Sequence, residues 1–121
     1  MSFNIERGRQ GEQAAAEYLL EHGFEILHRN WRSGHYELDI VAVRDGVLHI
    51  VEVKCRKKDS LTAPEEALTP AKQRSLLRAA AGYAALYRIE SDVRIDLVAV
   101  EMAENSEFEI RYVPDAVIPR W

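Results

Sequence analysis

The chain has 121 residues, of which 47% are hydrophobic, and carries a formal net charge of −4 at pH 7. This length and composition predict one ordered domain, residues 1–121, around a single core, and they exclude a disordered chain. No signal-peptide segment and no apolar stretch near the roughly 20 residues of a membrane span are found, so we expect a cytoplasmic protein with no membrane partner. One cysteine excludes an internal disulfide.

The first predicted elements are a helix and a strand. Apolar residues at helical spacing predict a helix over about 4–22, which ends at Gly23. A strand begins at Phe24 and extends toward Trp31, and residues 32–35 are typical of a turn.

A hairpin is predicted next, because an Asp-Gly pair at 45–46 separates the apolar runs 37–43 and 48–54. A two-residue turn fixes the register, since opposite residue numbers then sum to a constant. In this register Asp39 lies directly across from Glu52. Directly opposite side chains in an antiparallel pair share one face of the sheet.

The same register places Glu37 across from Lys54, so three carboxylates and one ammonium are expected to lie together. Two facing carboxylates repel each other unless a cation or a proton bridges them. A divalent metal is the natural bridge, because hard cations prefer carboxylate oxygens. The alternative is a cross-strand salt bridge on a solvated face, but apolar residues that continue this face favour a functional role.

The second half of the chain completes the fold. A loop over 56–68 leads to Thr69-Pro70, a capping hydroxyl followed by a first-turn proline, which predicts a helix to about Tyr87. Strands follow over 93–101 and 108–112, and the crossover predicts parallel pairing of the third and fourth strands. The predicted fold is α/β, with the order αβββαβ(β) and a mixed central sheet flanked by helices.

This order, with an acid on the second strand and Glu-x-Lys on the third, resembles the restriction-endonuclease-like core of the PD-(D/E)XK nuclease superfamily. The chain more closely resembles the YraN-like family of predicted endonucleases, which is related to archaeal Holliday-junction resolvases. The specific motifs are Glu37-Leu38-Asp39-Ile40 and Val51-Glu52-Val53-Lys54. Weaker matches are Gly8-Arg9, Gly11-Glu12, Ala15, Tyr18-Leu19, Gly23, Asn30-Trp31-Arg32, Lys72-Gln73-Arg74 and Asp96.

The resemblance implies a role for each of five residues at a catalytic site. Asp39 and Glu52 match the metal ligands, and Lys54 matches the lysine that positions or activates the attacking water. Glu12, on the first helix, matches an acidic position that can complete the metal shell. Glu37 either joins the ligands or pairs with Lys54. The implied activity is endonucleolytic cleavage of DNA phosphodiester bonds with Mg²⁺ or Mn²⁺, including cleavage at branched or flap structures.

Basic residues near the carboxylates provide a candidate DNA surface despite the acidic net charge. The first turn of the second helix offers cationic side chains and backbone N–H groups to a phosphate, although a solvated helix start explains them equally well. The predicted nucleic-acid-binding residues are Arg32, Arg56, Lys57, Lys72, Gln73 and Arg74. Because the resolvase relatives act as dimers, a homodimer is a further option, but the sequence identifies no dimer face.

The sequence departs from the family pattern near the predicted site. Leu38 replaces a proline, Tyr36 stands where glycine is usual, and no Phe-Gly follows Lys54. A non-catalytic nucleic-acid- or partner-binding module that retains the nuclease fold is therefore the alternative function. Two other residues are interpreted as structural: Asp96 as a buried capping group, and Cys55 as a packed residue on the face opposite Glu52.

Overall fold

The structure is a computed structural model that describes residues 5–59, 62–105 and 107–118, with side chains described from Gly8 onward. In chain order its elements are α1 (Ile5–Glu21), β1 (Glu25–Ser33), β2 (Tyr36–Arg44), β3 (Val47–Lys57), a 3₁₀ helix (Pro64–Ala67), α2 (Pro70–Leu86), β4 (Val93–Met102) and β5 (Phe108–Val117). Neither of the two described helices is long and apolar enough to cross a membrane.

The five strands form one sheet in the order β1-β2-β3-β4-β5. The β3–β4 pair is parallel and the other pairs are antiparallel, so the predicted mixed sheet and the predicted crossover are confirmed. The element order matches the predicted αβββαβ(β) fold and is consistent with a restriction-endonuclease-like core. Three details differ from the prediction: β1 continues into the predicted turn as far as Ser33, a 3₁₀ helix lies inside the predicted loop, and β5 runs past Pro114 to Val117.

The two helices cover opposite faces of the sheet, and each face has its own core. The core under α1 includes Ala15, Leu19, Ile40, Val51 and Val98. The core under α2 includes Leu38, Ile50, Leu76, Tyr83 and Leu97. Alternating β3 residues therefore contact different helices, and this alternation decides which helix can reach each candidate site residue.

Helix α2 begins as its sequence predicts. The Thr69 hydroxyl oxygen accepts a hydrogen bond from the backbone N–H of Lys72 at 3.2 Å, and Pro70 is the first helical residue. Helical spacing also predicts that Tyr87 faces inward, and this prediction is wrong, because the residue is 43% exposed. It lies at the C-cap, where its ring packs against Tyr83 at a centroid distance of 4.5 Å.

The Asp45-Gly46 turn sets the predicted register. Both turn residues have positive φ, 52° and 76°, as a type I′ hairpin turn requires. Paired positions run from Arg44–Val47 to Ile40–Val51, and opposite residue numbers sum to a constant throughout.

Candidate functional site

The candidate site lies where β2 and β3 stop pairing. The ladder ends at Ile40–Val51, so the predicted backbone pairing does not extend to Asp39–Glu52 or to Glu37–Lys54. At this point Asp39 Oδ2 accepts a hydrogen bond from the backbone N–H of Val53 at 2.8 Å. The carboxylate thus satisfies a main-chain donor that has lost its cross-strand partner.

A local irregularity in β2 accompanies the end of the ladder. Leu38 packs in the α2-side core and Ile40 in the α1-side core, although residues two apart on a regular strand share a face. On the neighbouring strand, Asn30 lies between the residues that pair with these two and has a positive φ of 53°. Asp39 therefore occupies a kink, where the strict alternation assumed from the sequence fails.

The Asp39 and Glu52 carboxyl groups nevertheless meet through a side-chain hydrogen bond. Burial, the charge of Glu52 and that hydrogen bond raise the pKa of Asp39 from an ordinary 3.8 to about 8, and the charge of Glu12 adds to the rise. The Val53 N–H opposes the shift, because it favours the ionised carboxylate. At neutral pH Asp39 therefore holds a proton, and this proton relieves the repulsion between the two acids.

Lys72 reaches this acid pair from the first turn of α2. Its Nζ lies 2.9 Å from Glu52 Oε2, and the Glu52 side chain is only 14% exposed. Burial alone would lower the pKa of Lys72, but the hydrogen bond and the charge of Glu52 outweigh it and raise that pKa. The sequence predicted Lys72 as a phosphate-binding residue, and the structure pairs it with a predicted metal ligand.

Lys54 follows Glu52 by two residues on β3, so both side chains belong to the α2 face of that strand. Lys54 is exposed and makes no ion pair within the described part of the chain. A cavity of about 350 Å³ opens beside it and is also lined by Arg56, Thr62 and Pro64. The predicted catalytic lysine thus has its ammonium group available to a bound molecule.

Glu12 approaches from α1, on the other face of the sheet. The preceding residue, Gly11, lies so close to Cys55 that an added Cβ would be 2.3 Å from its Sγ. Burial and the charges of Glu12 and Asp39 raise the pKa of the Cys55 thiol to about 11, so this half-buried cysteine is packed, as predicted, and unreactive. Within residues 5–59, 62–105 and 107–118, no group of three His, Cys, Asp or Glu side chains is arranged to hold a metal ion.

Glu37 pairs with Arg32 instead of Lys54. Arg32 Nη2 lies 3.6 Å from Glu37 Oε1, and both side chains are well exposed. The expected Glu37–Lys54 contact is wrong because the strands stop pairing before these positions are reached.

The other predicted DNA-binding residues fall into two groups. Arg74 and Lys57 are exposed. The Gln73 amide donates to the Leu68 carbonyl oxygen at 2.8 Å, and Arg56 lies 3.8 Å from Glu101 with its Nε buried and without a hydrogen-bond partner among the described residues. The Arg74 and Lys57 side chains are thus accessible to solvent, whereas those of Gln73 and Arg56 are partly buried.

A second polar cluster lies inside the sheet, and sequence reasoning found only one of its members. Asp96 is 1% exposed; its carboxylate accepts hydrogen bonds from His49 Nδ1 at 2.6 Å, from the Tyr112 hydroxyl and from the Asp115 N–H. The predicted capping role of Asp96 is confirmed. The partners were missed because they come from β3 and β5, and no local spacing links them to residue 96.

Comparison with known proteins gives a family but no activity. A family model described as "Uncharacterised protein family UPF0102" matches residues 11–100. A UPF0102 protein of Bacteroides thetaiotaomicron is 45% identical over 119 residues, covering 98% of both chains. A UPF0102 protein of Chlorobium chlorochromatii is 41% identical over 116 residues, covering 92% of this chain and 90% of the relative. Over nearly its whole length, therefore, the chain belongs to the UPF0102 family, the YraN-like proteins.

Proposed function

We propose that the chain is a metal-dependent endonuclease of the PD-(D/E)XK superfamily, which cleaves DNA phosphodiester bonds with Mg²⁺ or Mn²⁺. The observation that carries the proposal is the contact between the Asp39 and Glu52 carboxyl groups at the open end of the hairpin. Lys54 follows on the same strand, in the spacing that the resemblance associates with catalysis.

The contact between the acids is costly for the fold unless a proton or a cation lies between them. A surface ladder of ion pairs would favour ionised acids, whereas burial beside a second acid raises the pKa of Asp39. Groups shifted in this way by burial and a like-charged neighbour are concentrated at functional sites. The structure therefore argues against the purely structural ion-pair interpretation.

The donor set suits Mg²⁺ or Mn²⁺. Mg²⁺ keeps several waters and is usually held by one or two carboxylates together with substrate phosphates, so a complete protein cage is not required. Asp39 and Glu52 would supply the two carboxylates. Glu12 is near enough for its charge to act on Asp39, which is consistent with a supporting role from the α1 side.

Each part of the site has a task in hydrolysis. When bound, the divalent cation would polarise a phosphate oxygen and make a water more acidic. Lys54 would orient the attacking water and offset the negative charge that develops on the phosphate. The cavity beside Lys54 leaves space for the adjoining backbone, and the exposed cations Arg32, Lys57 and Arg74 would contact flanking phosphates.

Two bulky residues, His35 and Tyr36, precede Asp39 and bear on how a substrate reaches the site. Tyr36, the bulky residue in place of the usual glycine, packs against the α2-side core and is half-buried. His35 is exposed in the turn before β2, as is the neighbouring Gly34. Branched or flapped DNA is the substrate class that the resolvase relatives suggest.

Two observations favour the alternative, a non-catalytic nucleic-acid- or partner-binding module. The described residues hold no three-ligand group, and Lys72 already neutralises Glu52. Such a module would bind DNA in a salt-sensitive way. It would not cleave DNA in the presence of any metal.

Cleavage assays on four-way junctions, flaps and duplexes, with Mg²⁺, Mn²⁺ or a chelator, test the proposal. Asp39→Asn, Glu52→Gln and Lys54→Met are each expected to lower the rate at least about 100-fold. Lys58→Met is the matched control for Lys54, because the Lys58 ammonium pairs with Glu109 of the edge strand β5. Cleavage that survives both Asp39→Asn and Glu52→Gln would refute the assignment, and salt-sensitive binding without cleavage would establish the alternative.

A further inference from the structure

One contact at the site joins a predicted metal ligand to a predicted DNA-binding residue. Lys72, on α2, places its ammonium 2.9 Å from Glu52 Oε2. The contact joins residues from two elements, and Glu52 is the more buried partner, with 14% of its side chain exposed against 41% for Lys72. The cap at Thr69 fixes the start of α2, and thereby the position from which Lys72 reaches the sheet.

We propose that Lys72 is a resident counterion of Glu52, which competes with the divalent cation for this carboxylate and is released when the cation binds. The inference rests on the proposed function and adds a means of control to the same site. It assigns Lys72 a positioning role that differs from that of Lys54.

The competition follows from the geometry. A bound Mg²⁺ lies about 2.0–2.1 Å from its carboxylate oxygens. An ammonium at hydrogen-bond distance from the same carboxylate would then lie within a few ångströms of a doubly charged ion, and the two cations would repel each other. The metal ion and Lys72 would share the single, largely buried carboxylate of Glu52. Binding of the metal therefore weakens the ion pair between Glu52 and Lys72.

Release of Lys72 would link metal binding to DNA binding. Two ionised acids balance one divalent cation, so the freed ammonium of Lys72 becomes a second uncompensated positive charge beside that of Lys54. The single positive charge of Lys72 can neutralise the single negative charge of one phosphodiester group. Because Lys72 belongs to α2, its ammonium stays close to the acids after release. The DNA phosphate would therefore replace Glu52 as the partner of Lys72, and cation and DNA would each favour binding of the other.

Affinity for Mn²⁺ alone, measured by calorimetry and by electron paramagnetic resonance without DNA, tests the inference independently of cleavage. Lys72→Met removes the competing charge and is expected to tighten Mn²⁺ binding by about 3- to 10-fold, as for a partly exposed ion pair. Arg78→Met is the matched control, because Arg78 is an exposed cation of the same helix with no ion pair among the described residues. Its Mn²⁺ affinity should equal that of the unmodified protein.

A second measurement uses the unmodified chain and does not depend on a variant that folds. During titration with Mg²⁺, the ¹⁵N chemical shift of the Lys72 ammonium should change from the value of an ion-paired group to that of a solvated one. Tighter Mn²⁺ binding by Lys72→Met, or binding by that variant alone, supports the inference. Unchanged or weaker binding by Lys72→Met, with binding retained by the unmodified protein, overturns the role of Lys72 and leaves the metal site intact. Absence of binding by both proteins overturns the metal site as well.

Discussion

Replacing Asp39 with asparagine should stabilise the metal-free protein above about pH 5, although it removes a predicted catalytic residue. The folded-state pKa of Asp39 is raised to about 8 from an ordinary 3.8 by burial and by Glu52. Between these values the folded state keeps a proton that the unfolded state has lost, so stability falls as pH rises through this window. Asparagine keeps the acceptor for the Val53 N–H and resembles the protonated acid, but it cannot ionise.

The size of the effect follows from the shift. At about 1.4 kcal/mol per pH unit, a shift of about four units sets an upper limit near 6 kcal/mol. Relaxation of the half-buried pair and entry of water reduce this, and we expect about 1–3 kcal/mol of added stability at pH 8. At about 4 °C per kcal/mol for a domain of this size, the Tm should rise by about 4–12 °C.

Thermal and urea unfolding at pH 5 and pH 8, with a chelator present, would measure this difference. Asp92→Asn makes the same chemical change at an exposed position and should alter stability by less than about 0.5 kcal/mol. An Asp39→Asn variant that is destabilised equally at both pH values would show that Asp39 is a structural acceptor, and the repulsion reasoning would be refuted.

Three further predictions address the site and its supports. Mn²⁺ affinity should increase with pH up to about 8, by up to about tenfold per pH unit, because the cation displaces the Asp39 proton. Calorimetry at pH 6.5, 7.5 and 8.5 would measure this change. A pH-independent affinity would contradict the prediction. Gly11→Ala should lower the free energy of unfolding by about 1–3 kcal/mol, because the new methyl would be 2.3 Å from the Cys55 Sγ. The double variant with Cys55→Ala should recover most of that loss, and failure to recover would locate the strain elsewhere. Asp96→Ala should lower the free energy of unfolding by about 3–5 kcal/mol, since it leaves several buried donors without an acceptor. Tyr112→Phe should lower it by only about 1 kcal/mol. Denaturant unfolding of both variants measures the difference.

Features governed by neighbours in sequence were predictable. The Asp45-Gly46 turn and its register depend on the φ angles that two residues can adopt, and the start of α2 depends on a hydroxyl and a proline. The parallel β3–β4 pairing follows from the helical crossover between them. The presence of two acids and a lysine on the hairpin was predictable because the Asp45-Gly46 turn determines which residues the two strands contain.

Side-chain contacts between distant elements were not predictable. The ion pair of Lys72 with Glu52 and the hydrogen bond of His49 with Asp96 each join residues that the sequence keeps far apart. No periodicity encodes such a pair, because it depends on how a helix packs on a sheet and on the order of strands.

The sequence by itself determined the elements, the hairpin register as far as Ile40–Val51 and the chemical character of the site. Only the tertiary structure decided that the strands separate at Asp39 and that Lys72, not Lys54, neutralises Glu52. The physical reason is range: turn and cap preferences act over a few residues, whereas burial, electrostatic repulsion and ion pairing depend on all the groups that the folded chain brings together.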